Sequence, residues 1–323
     1  MSSTIHPPSH VRLPPPVTAG ARVGVAALSG PVDPERLRRG MAALSALGFV
    51  PVPAANLAAE TPDRLHAGSD DERLEGFHEL AADPDVEAIV FARGGHGLLR
   101  LLPRLDWSLL ASRPRAYVGY SDLTPLLLEL TRRLGLVTFH GPMVAADLAR
   151  GLDPDERASF LDALAGRLPR EVPLAGAAGT AEGPLAGGCL SMLTATLGTP
   201  WAPELDGSLL FLEDVGEPLY RLDRMLTHLA LSHRLSRIRG LILGHVAVVD
   251  RAAVRADEEA DEAAAPPVWV ERGLAVAGRT GLPVGWGVPA GHQAPNHTLP
   301  LGAAARLEGS TAPGRPGRLV VGI

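Results

Sequence analysis

The sequence predicts an α/β protein: an N-terminal doubly wound, mostly parallel sheet followed by a second unit of β and α elements. Two observations carry this. Short apolar runs of strand type alternate with amphipathic segments of helical spacing, the pattern of β-α-β units. Polar and glycine-rich clusters also fall directly after several apolar runs, as they do where loops gather at the carboxyl ends of parallel strands.

The elements follow in order. Residues 1–20 are proline-rich and read as a flexible arm. Residues 22–28 read as a buried strand ending at Ser29-Gly30-Pro31, and 35–47 as a helix with Leu37, Met41, Leu44 and Leu47 on one face. Residues 49–52 form a second strand, 70–82 an amphipathic helix, and 86–91 a strand running into Arg93-Gly94-Gly95-His96-Gly97. Residues 116–118 and 136–139 are further strands, with a helix-forming run between them, and a helix over 154–164 ends the N-terminal α/β domain, placed at 21–168. Gly, Ala and Pro then dominate, so an inter-domain linker is expected at 169–186. The C-terminal domain, 187–323, carries strands at 208–212, 238–243, 283–286, 303–307 and 318–321 and helices at 220–231 and 269–277. The acids from Asp257 to Glu262 read as a solvated loop.

Composition narrows the function. The chain has 323 residues and is 46% hydrophobic but only 4% aromatic, so a large core must be aliphatic. A net charge of -6 provides no basic face for nucleic acid or an anionic membrane. A single cysteine, Cys189, excludes an internal disulfide. With no signal-type N-terminus and no run long enough to span a bilayer, a cytoplasmic location is expected.

Three clusters could carry chemistry. Ser121, between the strand Ala116-Tyr117-Val118 and the helix-forming run from Leu123, lies on a strand-to-helix turn. Such a turn can expose a nucleophilic hydroxyl, and Ser121 or Asp122 can equally serve as a helix cap. Gly119 fits the first glycine of a nucleophile elbow, whereas Leu123 stands where the last is expected. The Gly94-Gly95-His96-Gly97 turn can present backbone N–H groups as an oxyanion hole or substrate cradle, or can be simply a tight turn. Glu213 ends an apolar strand, where a carboxylate can orient a base. Asp214, Glu217, Arg221, Asp223 and Arg224 read as ordinary ion pairs. His292, held between Gly291 and a proline, is a candidate general base. His292 and His297 lack the supporting Cys or carboxylate spacing of a metal site. Cys189 is a rival nucleophile at the start of an apolar helix, but no clear strand precedes it.

Together, from about Val23 to Leu307, these clusters resemble the LD-carboxypeptidases, serine peptidases of muropeptide recycling. The resemblance rests on Ser29-Gly30-Pro31, Gly68-Ser69-Asp70, Arg93-Gly94-Gly95-His96-Gly97, Gly119-Tyr120-Ser121-Asp122, Leu212-Glu213-Asp214, Gly291-His292 and Thr298-Leu299-Pro300-Leu301-Gly302, in that order. It implies an N-terminal α/β domain and a smaller C-terminal domain. It implies a catalytic set of Ser121, Glu213 and His292, with oxyanion donors at the backbone of Gly94, Gly95 and Asp122. It implies no cofactor and no metal, and a homodimer. His96 stands where the family usually has an aromatic residue, and Cys189 where it usually has Asn, which makes both candidates for substrate binding. The expected activity is cleavage of an L,D-peptide bond, releasing terminal D-Ala from a tetrapeptide. The alternatives are an immunity peptidase that cleaves a peptidyl-nucleotide antibiotic of the microcin C type, and a non-catalytic peptide-binding protein of the same fold.

Overall fold

The computed structural model describes residues 11–248, 266–309 and 317–322. They form two compact units, one within Met1–Arg167 and Pro295–Pro300, the other within Leu168–Ala294 and Leu301–Ile323. The acidic run from Asp257 to Glu262 lies outside the described residues.

In the first unit β1 (Arg22–Ala26), α1 (Pro34–Ala46), β2 (Val50–Pro53), α2 (Asp70–Ala82), β3 (Val86–Phe91), α3 (Trp107–Ser112), β4 (Ala116–Gly119), α4 (Thr124–Leu134), β5 (Thr138–His140) and α5 (Pro154–Leu164) follow one another. Local chemistry sets their ends. Ser69 and Glu72 form a reciprocal capping box at α2, and Asp153 and Glu156 form another at α5. Gly135, in the left-handed region, ends α4. The strands lie in the order β5-β4-β3-β1-β2, and every adjacent pair is parallel. Strand order reverses at β1, whose neighbours are β2 and β3. The loops that leave β1 and β3 therefore diverge at a switch point, where open α/β sheets bind ligands. Val23, Val25, Ile89, Val90 and Phe139 are fully buried, giving the aliphatic core that the composition required.

The second unit holds β6 (Arg170–Pro173), β7 (Gly176–Ala178), β8 (Thr180–Cys189), α6 (Leu190–Ala195), β9 (Leu209–Glu217), α7 (Leu219–Leu231), β10 (Gly240–Val248), α8 (Val268–Val276), β11 (Val284–Trp286), β13 (Ala304–Glu308) and β14 (Arg318–Val321). One further strand, β12 (Leu299–Leu301), falls between β11 and β13 in sequence and flanks β5 in the first sheet. The second sheet runs β6-β14-β13-β8-β9-β10-β11-β7, with β8 to β11 parallel and the flanking pairs antiparallel. Its two edges, β6 and β7, are consecutive in the chain. Three residues from Pro173 to Gly176 span at most about 10 Å, so this sheet curls until its edges nearly meet.

Two expected boundaries are corrected. Residues 169–186 are not a linker: they hold β6, β7 and most of β8. Their small residues mark close backbone approach, since a Cβ on Gly183 would overlap the Gly207 carbonyl. The arm expected over 1–20 is not loose where it is described. Arg12 bridges Leu136, and the buried Val17 donates its N–H to the Leu164 carbonyl at 2.8 Å. Residues 1–10 lie outside the described residues.

These contacts rank two substitutions. Phe139→Ala empties a fully buried site and should cost about 3–5 kcal/mol of unfolding free energy. Ser69→Ala removes one capping bond and should cost about 1 kcal/mol. Urea denaturation followed by circular dichroism measures both, and equal losses would contradict this account.

Candidate active site

The first unit places Ser121 at the end of β4. Gly119 closes the strand and Tyr120 is still extended. Ser121 then adopts φ +64, after which a short 3-10 turn leads into α4. A serine in the left-handed region is strained by about 1–3 kcal/mol. A helix cap does not need that conformation, whereas a nucleophile elbow does. The turn has the backbone form of such an elbow even though Leu123 stands where its last glycine was expected.

Gly94 lies directly against this turn. A Cβ at Gly94 would stand 2.9 Å from Ser121 Oγ and 3.4 Å from the Asp122 backbone nitrogen. The Gly94-Gly95 backbone, the Ser121 hydroxyl and the Asp122 N–H are thus gathered in one place, and only glycine permits the approach. Gly30 adds a link that no sequence pattern signalled: its N–H donates to the Gly94 carbonyl at 3.3 Å. His96 is exposed in the same turn, with its ring 5.5 Å from that of His66.

The second unit holds the other candidates. Glu213, fully buried, ends the apolar part of β9. Its Oε2 lies 2.6 Å from His292 Nδ1, and the His292 side chain is 16% exposed. An ionised carboxylate only accepts, so this bond places the imidazole proton on Nδ1 and leaves Nε2 as the basic nitrogen. Gly291, at φ +126, makes the bond possible, because a Cβ there would come within 2.8 Å of Glu213 Oε2. The loop is fixed to β10: His245 donates its backbone N–H to the Ala290 carbonyl at 2.9 Å, and its Nδ1 lies 3.2 Å from the Gln293 carbonyl.

Cys189 is the last residue of a strand, the ten-residue β8, contrary to expectation; the glycine-rich sequence concealed it. It pairs in register with Glu213. Its electrostatics still separate it from Ser121. The residue is 3% exposed, its Sγ lies 3.1 Å from Ser191 Oγ and 3.8 Å from Asp214 Oδ1. Burial pushes the thiol well above its ordinary pKa, and the Glu213 and Asp214 carboxylates push it further. Asp214 is likewise not the expected surface ion-pair partner. It is buried, and its carboxylate accepts the Ser191 and Val215 N–H groups at 2.7 and 2.8 Å. Arg221 does pair with Glu217, at 3.1 Å. Among the described residues no group of three or more His, Cys, Asp or Glu side chains is arranged to hold a metal ion.

Comparison with known proteins adds to this geometry. A family model described as the LD-carboxypeptidase N-terminal domain matches residues 23–141, and one described as the LD-carboxypeptidase C-terminal domain matches residues 182–307. A murein tetrapeptide carboxypeptidase of Pseudomonas aeruginosa is 36% identical over 262 residues, 76% of this chain and 80% of that protein. A microcin C7 self-immunity protein of Escherichia coli is 29% identical over 272 residues, 73% of this chain and 78% of that one. The crystal structure of a muramoyltetrapeptide carboxypeptidase from Oxalobacter formigenes superposes with a TM-score of 0.77 at 31% identity, covering 94% of this chain and 99% of the other.

The raised thiol pKa has a measurable sign. A thiolate forms at Cys189 only at a pH above the usual thiol range. At pH 8 iodoacetamide should therefore alkylate the folded protein about tenfold or more slowly than the urea-unfolded chain. Equal rates, followed by mass spectrometry, would contradict the burial described.

Proposed function

Because the chain belongs to the LD-carboxypeptidase family and is a serine-type carboxypeptidase, we propose that it hydrolyses the L,D-peptide bond before the terminal D-Ala of muropeptide tetrapeptides, in cytoplasmic cell-wall recycling. The observation that supports this most is the part-buried Glu213–His292 bond of 2.6 Å, because it prepares an imidazole to act as a base at Nε2. In the proposed reaction His292 takes the Ser121 proton as Ser121 attacks the carbonyl. Glu213 steadies the imidazolium, and the N–H groups of Gly94, Gly95 and Asp122 receive the oxyanion. Each such donor is worth about 2.7–4 kcal/mol in a comparable enzyme. His292 then protonates the leaving D-Ala amine, and water, activated by the same imidazole, releases the acyl group. No metal or other cofactor takes part.

His96 and Cys189 carry the substrate-binding part of the proposal. The family resemblance also supports a homodimer, which light scattering coupled to size exclusion tests. No helix among the described residues is long and apolar enough to cross a membrane. A second reading, self-immunity by cleavage of a peptidyl-nucleotide antibiotic, draws on the Escherichia coli relative.

Mass spectrometry of purified tetrapeptide incubated with the protein decides between these readings. Loss of one D-Ala is expected; turnover of a peptidyl-nucleotide with an untouched tetrapeptide would favour the second. Ser121→Ala and His292→Ala should each lower kcat by about 10^4-fold or more, and Glu213→Gln by about 10^4-fold or less. Near-native turnover by Ser121→Ala would sink the mechanism. His96→Tyr and Cys189→Asn should alter KM more than kcat. Chelators should leave the rate unchanged, and a loss restored by zinc would contradict the proposal.

A further inference from the structure

In the reaction proposed above Asp122 contributes only its backbone N–H, yet its side chain is tied more closely than that role demands. The residue is 2% exposed. Its Oδ2 accepts the Ser29 hydroxyl at 2.7 Å and the Leu98 backbone N–H at 3.0 Å. Ser29 is fully buried in the loop that leaves β1. Leu98 begins the 3-10 turn immediately after Gly97. A single carboxylate oxygen therefore joins the loops after β1, β3 and β4, on the two sides of the switch point. The buried Arg73, whose Nη1 donates to the Leu28 carbonyl at 2.6 Å and which also pairs with Asp70, sets a cation behind this junction.

The Gly94–Gly97 turn needs such an anchor. Gly95 and Gly97 sit at φ +133 and +111, and a glycine-rich segment has the most backbone freedom to lose. An oxyanion donor contributes only if it is already in place when charge develops, since a donor that must be ordered during the reaction has lost its advantage. The Gly30–Gly94 bond, at 3.3 Å, is long for an N–H···O contact. The two bonds to Asp122, at 2.7 and 3.0 Å, are shorter, which makes them the stronger restraint.

We propose that the Asp122 carboxylate is a positioning residue: by gripping Ser29 and Leu98 with one oxygen, it holds the Gly94-Gly95 donors at a fixed distance from Ser121. The inference rests on the serine-peptidase reading. It predicts a loss in the chemical step, with ground-state substrate binding little changed. Asn can offer one oxygen in the place of Oδ2 and accept both donors, so Asp122→Asn should recover part of what Asp122→Ala loses.

The test measures two rates for the full chain: tetrapeptide turnover, and phosphonylation of Ser121 by a fluorophosphonate, located by peptide mass spectrometry. The second needs no knowledge of the peptide substrate. Asp122→Ala should lower kcat and the labelling rate by about 10^2-fold, with KM within about threefold of wild type, and Asp122→Asn should lie between the two. Ser29→Ala, which removes one of the two donors and decides the matter if Asp122→Ala does not fold, should slow labelling by about three- to tenfold. In the double variant Ser29→Ala should add nothing to Asp122→Ala, because both act through one oxygen. Wild-type protein that is not labelled at Ser121 overturns the serine reading and the inference with it. Labelled wild type with Asp122→Ala or Ser29→Ala reacting at the same rate overturns the inference alone. So does Asp122→Asn falling as far as Asp122→Ala, since charge rather than placement would then be responsible.

Discussion

The left-handed backbone of Ser121 is the constraint around which the first unit is arranged. A strand that ran on through residue 121 would turn the side chain to one face of the sheet. With φ +64 at Ser121, the next amide nitrogen, that of Asp122, lies beside Gly94. The conformation is costly for a residue with a Cβ, and its surroundings oppose relaxation. Tyr120 accepts the Leu123 N–H at 3.3 Å, and Ser121 accepts the Thr124 N–H at the start of α4. The Asp122 side chain is buried against the neighbouring loops.

The second unit solves a different problem, that of keeping a carboxylate in an apolar strand. Glu213 follows Leu209, Leu210, Phe211 and Leu212, all fully buried. A carboxylate in such surroundings must be paired, and His292 supplies the partner at Oε2. Asp214, one residue on, projects to the opposite side of the strand and is satisfied by backbone amides rather than by a base. The alternation of a strand thus gives two consecutive acids two separate duties, one toward the imidazole and one toward the start of α6.

Much of this was legible in the sequence, for physical reasons. Strands β3 and β14 and helices α2 and α5 have the expected bounds because apolar periodicity and capping residues coincide there. Ser121, Glu213 and His292 could be singled out as candidates because each is a polar residue that ends an apolar run or is held between Gly and Pro, although a plain helix cap stood equally open for Ser121. The strands of residues 170–189 were not legible, because Gly, Ala and Pro signal loops by composition while serving here as thin backbone at crowded crossings. Strand β12, three residues with a central proline, is too short to carry a period. The junction of Ser29, Leu98 and Asp122 could not be read either. It depends on the order β4-β3-β1, which brings together loops that are distant in sequence, and one of its donors is a main-chain N–H with no residue signature.

The edges of the two sheets have a consequence for how the chain behaves when crowded. An unpaired strand edge is a template on which another chain can add, and long flat edges invite fibrous assembly. Here the outermost strands are β2 and β12 in one sheet and β6 and β7 in the other, each only three or four residues long. Three of the four contain proline: Pro51 and Pro53 in β2, Pro300 in β12 and Pro173 in β6. A proline has no N–H to offer an incoming strand. The hydrophobic central strands, which alone would be sticky, are therefore bordered by short segments, three of them interrupted by proline, that offer an incoming strand little ladder to extend, which works against templated self-association.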